Sequence, residues 1–356
     1  MTPGQTSLRG PDETCTTQES IVSTKAIALL LICGVLCFTY GLFTPLPSHP
    51  NIMSWYGNTS SQTSMLHPLP GVWISSTNGR LGNQMGAYAA LFGLARMNGR
   101  KAYLSMNSAN NLGAIFQLTL PPLPAGENKD FQNFRLHDWM EESYEHISLM
   151  RVHFTGYPNS WTFYDRYRDA IRREFTFRPM IREVADTFLR SVAAKSTSQL
   201  PGANITFVGV HVRRGDYVRV MPNVWKGVVA DAQYVIEAMN VMRGSYPDSV
   251  FVVASDDVKW CRQNINITRG DVYFVADGIP HASPQQDLAV LAACNHTIMT
   301  IGTFGFWAGY LAGGDVIYLD KYVLPNSPFL KVFRYEAFYL PYWKGIPADL
   351  SPLKNG

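Results

Sequence analysis

Short apolar runs alternate with stretches of helical periodicity through the second half of the chain. The apolar runs are rich in valine and isoleucine and predict strands at 205–212, 250–254, 272–275, 297–301 and 316–319. Helical stretches at 231–243 and 286–294 separate some of them, the first with Asp231 as its N-cap and Gly244 after its end. Buried strands that alternate with helices are typical of a parallel sheet covered on both faces, so we predict an α/β architecture.

The first half of the folded part opens in the same way but is less regular. A strand at 72–75, a glycine-containing turn, a helix at 84–97 and a strand at 101–104 predict a βαβ unit. Residues 181–194 place their apolar side chains on one face of a further helix. We therefore predict two Rossmann-like halves, at 71–200 and 201–356.

Residues 26–43 are uncharged and mostly apolar, and they predict a single transmembrane helix. Eighteen residues at ~1.5 Å each give ~27 Å, enough to cross a hydrocarbon core. A cleavable signal peptide is the competing interpretation, but its apolar region is usually shorter and no A-x-A-like site follows. Lys25 precedes the span and no Lys or Arg follows it until Arg80, so the positive-inside rule predicts a cytoplasmic tail at 1–25 and a lumenal domain.

The segment 44–70 is uncharged and about half Pro, Ser or Thr, which predicts an extended stem between the span and the folded part. Four N-x-Ser/Thr sequons follow the span and agree with a lumenal orientation. They are at Asn58, Asn204, Asn266 and Asn295. Cys261 and Cys294 lie in the predicted lumenal part, where one disulfide and two separate buried thiols are both open alternatives.

The composition excludes several classes of protein. Hydrophobic residues make up 46% of the chain and charged residues 16%, which predicts a large core and excludes a disordered chain. The formal net charge is only +3, so we expect no nucleic-acid partner. The positive charge that matters is local.

Candidate ligand-binding residues, all but Phe304 of them polar, follow the predicted parallel strands, at the edge where open sheets bind ligands. They are Asn83, His211, Arg213, Arg214, Asp216, Asp256, Asp257, Thr303 and Phe304. A guanidinium such as that of Arg213 can hold a diphosphate bidentately, and a helix that begins after Gly302 offers backbone N–H groups to the same anion. Asp256 suits ribose hydroxyls or the N–H edge of guanine, although Asp256 and Asp257 could instead cap the next helix. The set predicts a sugar-nucleotide pocket.

Several motifs are missing from the sequence. It has no G-x-x-x-x-G-K-[ST] or G-x-G-x-x-G loop, no C-x-x-C or H-E-x-x-H spacing, and no Asp-x-Asp of the kind that holds a metal on a donor diphosphate. We therefore expect no metal and no cofactor. Arginine and a helix N-terminus would then supply the electrostatic stabilisation.

From about Gly71 to the C-terminus, the sequence resembles the vertebrate galactoside 2-α-L-fucosyltransferases. The stretches that carry the resemblance are GRLGNQMG, GVHVRRGDYV, WKGVVAD, CNHTIMTIGTFGFWAGYLAGGD and ADLSPL. The resemblance implies a GT-B-like fold and a single-pass type II protein of the Golgi membrane with a lumenal catalytic domain. It implies transfer of fucose from GDP-fucose to the 2-hydroxyl of terminal β-galactose on glycoproteins and glycolipids, with inversion and without metal.

The resemblance also implies roles for single residues. His211 and Arg213 match the H-x-R element of the wider α1,2/α1,6/O-fucosyltransferase group, in which the histidine lies by the nucleotide and the arginine contacts the β-phosphate. Asp256 matches an aspartate near guanine, Thr303 with Phe304 matches the start of the phosphate-binding helix, and Asn83 matches an asparagine near the diphosphate. We expect Arg213 to stabilise the departing GDP and Asp216 to be the candidate base, unless Asp216 pairs with Arg214.

Two departures from the family motivate a second function. Better-known members carry Thr-Ser-Asn-Gly-Met where this chain has 254–258, and a cysteine where it has Asn159. The alternative is therefore a decayed paralogue that binds galactosides in the lumen without transferring fucose. A third class, adhesion through Arg214-Gly215-Asp216, would need that tripeptide on an exposed loop tip.

Overall fold

Two parallel sheets, one in each half of the described chain, form the framework of the structure. The computed structural model describes residues 69–76, 78–199 and 204–354. The predicted tail, span and most of the stem lie outside the described residues. Within the described part, no helix is both long and apolar enough to cross a membrane. Both sheets belong to one compact unit, Met65–Gly356.

The first sheet has four parallel strands in the order β2-β1-β4-β3. Its strands are β1 (Leu69–Ser75), β2 (Arg100–Ala102), β3 (Gln132–Arg135) and β4 (Arg151–Thr155). The helices of this half are α1 (Leu81–Met97), α2 (Met106–Asn111), α3 (Arg168–Glu174) and α4 (Pro179–Gln199). Helix α1 is buried along most of its length and packs beneath β1 and β2. The βαβ opening predicted from the sequence is thus confirmed, although α1 begins at Leu81 and not at 84.

The second sheet has six parallel strands in the order β10-β9-β8-β5-β6-β7. Its strands are β5 (Thr206–Val212), β6 (Ser249–Ser255), β7 (Val272–Phe274), β8 (His296–Met299), β9 (Val316–Asp320) and β10 (Lys344–Pro347). Its helices are α5 (Tyr217–Trp225), α6 (Ala232–Ser245), α7 (Val258–Asn264), α8 (Val275–Gly278), α9 (Pro284–Ala292), α10 (Thr303–Ala312) and α11 (Tyr335–Phe338). All five strands predicted in this half are confirmed to within two residues at either end.

The strand order of the second sheet places its ligand crevice. Strands β5, β6 and β7 progress towards one edge, whereas β8 lies on the other side of β5 and leads to β9 and β10. The order therefore reverses between β5 and β8, and the crevice at the carboxyl ends of a parallel sheet opens at such a reversal.

Helix α6 shows how local signals set an element. Asp231 caps it as predicted, with Oδ1 accepting a hydrogen bond from the Tyr234 backbone N–H at 2.8 Å. The expectation that Gly244 follows the helix is wrong, because Gly244 lies inside α6. The helix ends at Ser245, and Tyr246 is its C-cap. Short 3-10 helices also occur in the described part of the chain, at Glu142–His146, Trp161–Phe163, Asp165–Tyr167, Pro328–Lys331 and Ser351–Leu353.

Trp307 of α10 joins the two halves. Its side chain is fully buried and its indole N–H donates to the Gly82 carbonyl of α1 at 3.0 Å. The ring stacks on Tyr164 at 5.4 Å and meets the edge of Phe175 at 4.8 Å, both from the first half. Aromatic pairs at these distances add to the energy of burial, so this contact fixes the N-terminal ends of α1 and α10 against each other.

Candidate functional site

The carboxyl ends of β1, β5, β6 and β8 bring the predicted site residues together. Arg213 follows β5, Asp256 follows β6, Thr303 opens α10 after β8, and Asn83 lies in the first turn of α1 after β1. The sequence interpretation treated Asn83 as part of a turn. That turn is shorter than predicted, because Arg80 is already the extended N-cap of α1.

Arg213 is held by four groups around the end of β5. Its backbone N–H donates to Thr300 Oγ1 at 2.9 Å. The terminal nitrogens Nη1 and Nη2 pair with the carboxylates of Asp256 and Asp216, respectively, and Cζ lies 5.0 Å from the centre of the Tyr217 ring. An arginine has five N–H groups, and Nε and one N–H on each terminal nitrogen have no partner in the described part of the chain, so they can bind a ligand.

Asp256 organises the loop that follows β5. Its Oδ1 accepts a hydrogen bond from the Arg214 backbone N–H at 2.8 Å, while Oδ2 meets Arg213. Gly215 has a φ of +30°, and a Cβ atom there would lie 2.9 Å from Arg213 Nη1 as well as against Asp256. The positive φ and the nearness of both side chains therefore favour glycine at this position. Asp257, not Asp256, caps α7, through the Trp260 N–H at 3.1 Å.

Arg214 points away from Arg213, as the alternation of side chains along a strand predicts. Its guanidinium lies 4.0 Å from the centre of the Trp260 ring and donates from Nη1 to the Ala230 carbonyl at 3.0 Å. The pairing of Arg214 with Asp216, which was one of two expectations, is not formed. The nearest acid is Asp257, with Oδ2 at 3.6 Å from Nε. Arg214 thus anchors the loop from behind.

His211 is buried beneath the site. Its ring centre lies 5.0 Å from that of Phe304, and Nδ1 has no hydrogen-bond partner among the described residues. Burial, and then the neighbouring charge of Arg213, lower the pKa of His211 to about 3. The imidazole is therefore neutral at physiological pH. A Cβ atom at Gly305 would lie only 2.7 Å from Nδ1, so α10 can pack here only with glycine at that position.

Asn83 and Thr303 link the two halves directly. The Thr303 hydroxyl donates to Asn83 Oδ1 at 2.9 Å, which leaves the Asn83 amide N–H groups for other acceptors. A Cβ atom at Gly82 would be 2.6 Å from Thr303 Oγ1 and 2.7 Å from the Phe304 backbone nitrogen. Helix α10 begins after Gly302, which has a φ of +95°, and no side chain caps its N-terminus. Its first backbone N–H groups can therefore donate hydrogen bonds to a bound anion.

Sequence reasoning missed two residues of the site. Tyr217, the first residue of α5, supports the Arg213 guanidinium, and Thr300 fixes the Arg213 backbone. Tyr217 stands directly after the R-R-G-D stretch, and aromatic rings often stack on arginine. Nothing in the sequence distinguishes Thr300 from an ordinary residue after a strand.

The structure also shows the surroundings of the predicted sequons, the two cysteines and Asn159. Asn204 and Asn266 are exposed, whereas Oδ1 of the exposed Asn295 accepts a hydrogen bond from the Phe207 N–H at 2.9 Å; Asn58 lies outside the described residues. Cys261 and Cys294 are two free, buried thiols. The Oδ1 atom of Asn159 is buried without a partner in the described chain. The described residues contain no group of three His, Cys, Asp or Glu side chains that could hold a metal ion.

Comparison with known proteins gives matches over most of the chain. The family model described as Glycosyl transferase family 11 matches residues 49–347. The chain is 56% identical over 287 residues to "Galactoside alpha-(1,2)-fucosyltransferase 2" of Rattus norvegicus, covering 80% of this chain and 79% of that protein. It is 52% identical over 286 residues to "Galactoside 2-alpha-L-fucosyltransferase Sec1" of Mus musculus, covering 80% and 76%.

Among solved structures the likeness is more distant. The NodZ alpha-1,6-fucosyltransferase has a TM-score of 0.46 and 16% identity, over 73% of this chain and 98% of that one. The apo form of POFUT1 has a TM-score of 0.48 and 13% identity, over 73% and 100%.

Proposed function

The chain belongs to glycosyl transferase family 11, and from that premise we propose that it is a galactoside 2-α-L-fucosyltransferase. It would transfer L-fucose from GDP-fucose to the 2-hydroxyl of terminal β-galactose on glycoproteins and glycolipids, with inversion at the anomeric carbon. The names of relatives that are more than half identical over 287 residues support the reaction and the acceptor.

One observation carries the chemistry of this proposal. At the reversal between β5 and β8, the Tyr217 ring links Arg213 to the uncapped N-terminus of α10: the Arg213 guanidinium lies 5.0 Å from the centre of that ring, and a Cβ atom at Gly302, the N-cap of α10, would lie 3.8 Å from the ring. A fixed cation and aligned backbone N–H groups stabilise the negative charge that develops on a departing diphosphate. We propose that this is the donor site, that Asn83 and Thr303 border the diphosphate, and that His211 and Phe304 lie beside the nucleotide.

The finer features of the proposal rest on sequence and topology. Two parallel sheets with ligand-binding residues at their carboxyl edges support a GT-B-like arrangement. The apolar segment 26–43 supports a type II Golgi membrane protein with a lumenal domain. The lack of an Asp-x-Asp motif in the sequence supports a reaction without metal.

Asp216 is our proposed catalytic base. It is about half exposed and pairs with Arg213, the residue that we propose to bind the leaving group. We expect Asp216→Asn to keep GDP affinity within about twofold and to lose most of the transfer rate. Retained transfer would exclude this role, and a late, dissociative reaction would then need no base.

The experiment that tests the proposal uses the full-length chain, purified in detergent from mammalian cells. It would be incubated with GDP-fucose, EDTA and a terminal β-galactoside, and both GDP release and product linkage would be followed. An α1,2-linked product in EDTA is the expected result. Binding of the galactoside without GDP release would instead favour the decayed, galactoside-binding protein, and residues 254–257 would be the first to revert. The adhesion alternative has less support, since Asp216 engages Arg213 and Arg214 packs on Trp260.

A further inference from the structure

Tyr157 is a large aromatic side chain that is exposed at the ligand-binding edge of the first sheet. It stands two residues beyond the carboxyl end of β4, and 52% of its surface is exposed. Its side chain makes no hydrogen bond or ring contact with any residue that the structure describes. Because an aromatic ring gains much from packing against a partner, an exposed ring at this edge is available to a ligand.

The turn that carries Tyr157 is fixed on both sides. Gly156, before it, has a φ of +101°, and a Cβ atom there would lie 2.6 Å from the Leu136 carbonyl oxygen. Pro158, after it, is buried, and the Tyr157 carbonyl accepts a hydrogen bond from the Asn159 N–H at 2.8 Å. The exposed ring is therefore carried by a backbone that is already held, so a ligand would have little of the chain to order.

Asn159 places this turn close to the proposed donor site. It lies against α1, so that a Cβ atom at Gly86 would be 2.3 Å from the Asn159 Oδ1 atom. One helical turn earlier, Gly82 packs in the same way against Thr303, at the start of α10. Four residues of an α-helix span only ~6 Å, so the turn at 156–159 and the start of α10 meet α1 at neighbouring positions.

The residues that follow Asn159 contact the second half directly. Ser160 Oγ donates a hydrogen bond to the Ala337 carbonyl, and the Trp161 indole N–H donates to the Tyr339 carbonyl at 3.0 Å. Ser160 and Trp161 are both buried, and their partners lie in the loop between β9 and β10. Tyr157 is thus the exposed residue of a segment that otherwise packs between the two halves.

Hydrogen-bonding groups accompany the Tyr157 ring at this edge. His137 stands two residues beyond β3, as Tyr157 does beyond β4, and the two strands pair in register up to their last residues. The exposed imidazole of His137 stacks on Trp139 at 5.1 Å between ring centres, and its Nε2 lies 3.5 Å from the Glu141 carboxylate. An aromatic face with a few oriented polar groups is the usual lining of a site for an uncharged ligand.

We propose that Tyr157 is the platform on which the terminal galactose of the acceptor packs, next to the donor site. The inference rests on the proposed function, which supplies the identity of the acceptor. A galactose ring has an apolar face of C–H groups, and packing that face on Tyr157 leaves the hydroxyls free to bond polar groups such as His137. Since the galactose is uncharged, ring contact and hydrogen bonds must supply its affinity.

The test measures galactoside binding separately from turnover. Full-length wild type, Tyr157→Ala and Tyr157→Phe would be saturated with GDP and titrated with methyl β-D-galactoside, with binding followed by ligand-observed NMR. Tyr342→Ala is the matched control, because Tyr342 is 59% exposed but precedes β10, at the amino edge of the second sheet. We expect Tyr157→Ala to weaken galactoside binding about 10-fold, Tyr157→Phe to bind within about twofold of wild type, and the GDP affinity of both to stay unchanged.

The other results separate this inference from the proposed function. Unchanged galactoside affinity in Tyr157→Ala overturns the inference, as does an equal loss of GDP and galactoside binding, which would indicate a structural role. If wild type binds the galactoside through Tyr157 but transfers no fucose, the proposed function fails and this inference stands. If wild type transfers fucose and Tyr157→Ala keeps the same KM for the galactoside, the proposed function stands and this inference fails.

Discussion

Arg213 combines a fixed charge with a fixed direction. Its two carboxylate partners and the Tyr217 ring determine where the remaining N–H groups point. A lysine at this position would keep the charge but could not satisfy both carboxylates and a phosphate from one planar group. We expect Arg213→Lys to lower kcat by about 10²- to 10³-fold, the usual effect of removing one donor to a developing charge. Turnover close to wild type, measured as GDP release at saturating donor, would contradict this role.

Asp256 has two possible roles, which the sequence alone could not distinguish: binding guanine and orienting Arg213. The resemblance predicts a contact with guanine, whereas in the structure both carboxylate oxygens accept from the arginine loop. If orientation of Arg213 is its main role, Asp256→Asn should lower kcat and keep the preference for GDP over ADP. If it binds guanine, the variant should lose that preference with a smaller change in kcat. Competition by GDP and ADP, measured together with turnover, distinguishes the two.

At the scale of elements, Gly82 determines how closely α1 and α10 approach. A methyl group there would meet Thr303 Oγ1 and the Phe304 backbone nitrogen at less than 3 Å. We expect Gly82→Ala to separate the two N-termini, to lower the free energy of unfolding by about 1–3 kcal/mol and to weaken GDP binding. Gly244→Ala is the control, since a Cβ atom at this position in α6 would meet no atom of another element within 4 Å. That change should stabilise the protein by about 0.5–1 kcal/mol, and similar behaviour of both variants would argue against the close contact.

The elements that the sequence predicts well are those whose burial is continuous. Strands β5 and β6 are almost entirely buried, so their valine-rich runs could be recognised as strands without knowing which strands they pair with. Strand β3 is mostly exposed and polar, and β10 ends in proline, so neither shows a strand pattern. Helix α5 contains Pro222, and proline is disfavoured inside a helix, so the sequence shows no helix signal there.

The site, too, could be predicted from the sequence only in part. The sequence predicted which residues gather at the site, because residues that directly follow parallel strands all lie at the carboxyl edge of the sheet. It could not predict which acid pairs with which arginine. The pair of Arg213 and Asp256 spans 43 positions and depends on the register of β5 against β6.

For the whole molecule, the buried His211 and the partly buried Asp287 give opposite responses to pH. The folded pKa of His211, about 3, is below its ordinary 6.5, so the stability that its neutral form provides is present above pH 6.5 and is lost as the pH falls towards 3. Burial raises the pKa of Asp287, in the first turn of α9, from 3.8 to about 7. Its contribution is fully present below pH 3.8 and is lost as the pH rises through 7.

A variant of Asp287 isolates one of these responses. Asp287→Asn removes the acidic titration and leaves His211 in place, so the difference in unfolding free energy between variant and wild type reports Asp287 alone. We expect that difference to grow in favour of the variant between pH 4 and pH 7, by at most about 4 kcal/mol, and to stay constant at higher pH. Denaturant unfolding of both proteins across this range measures it. Parallel stability curves would contradict this prediction and would show that the Asp287 carboxylate is hydrated in the folded protein.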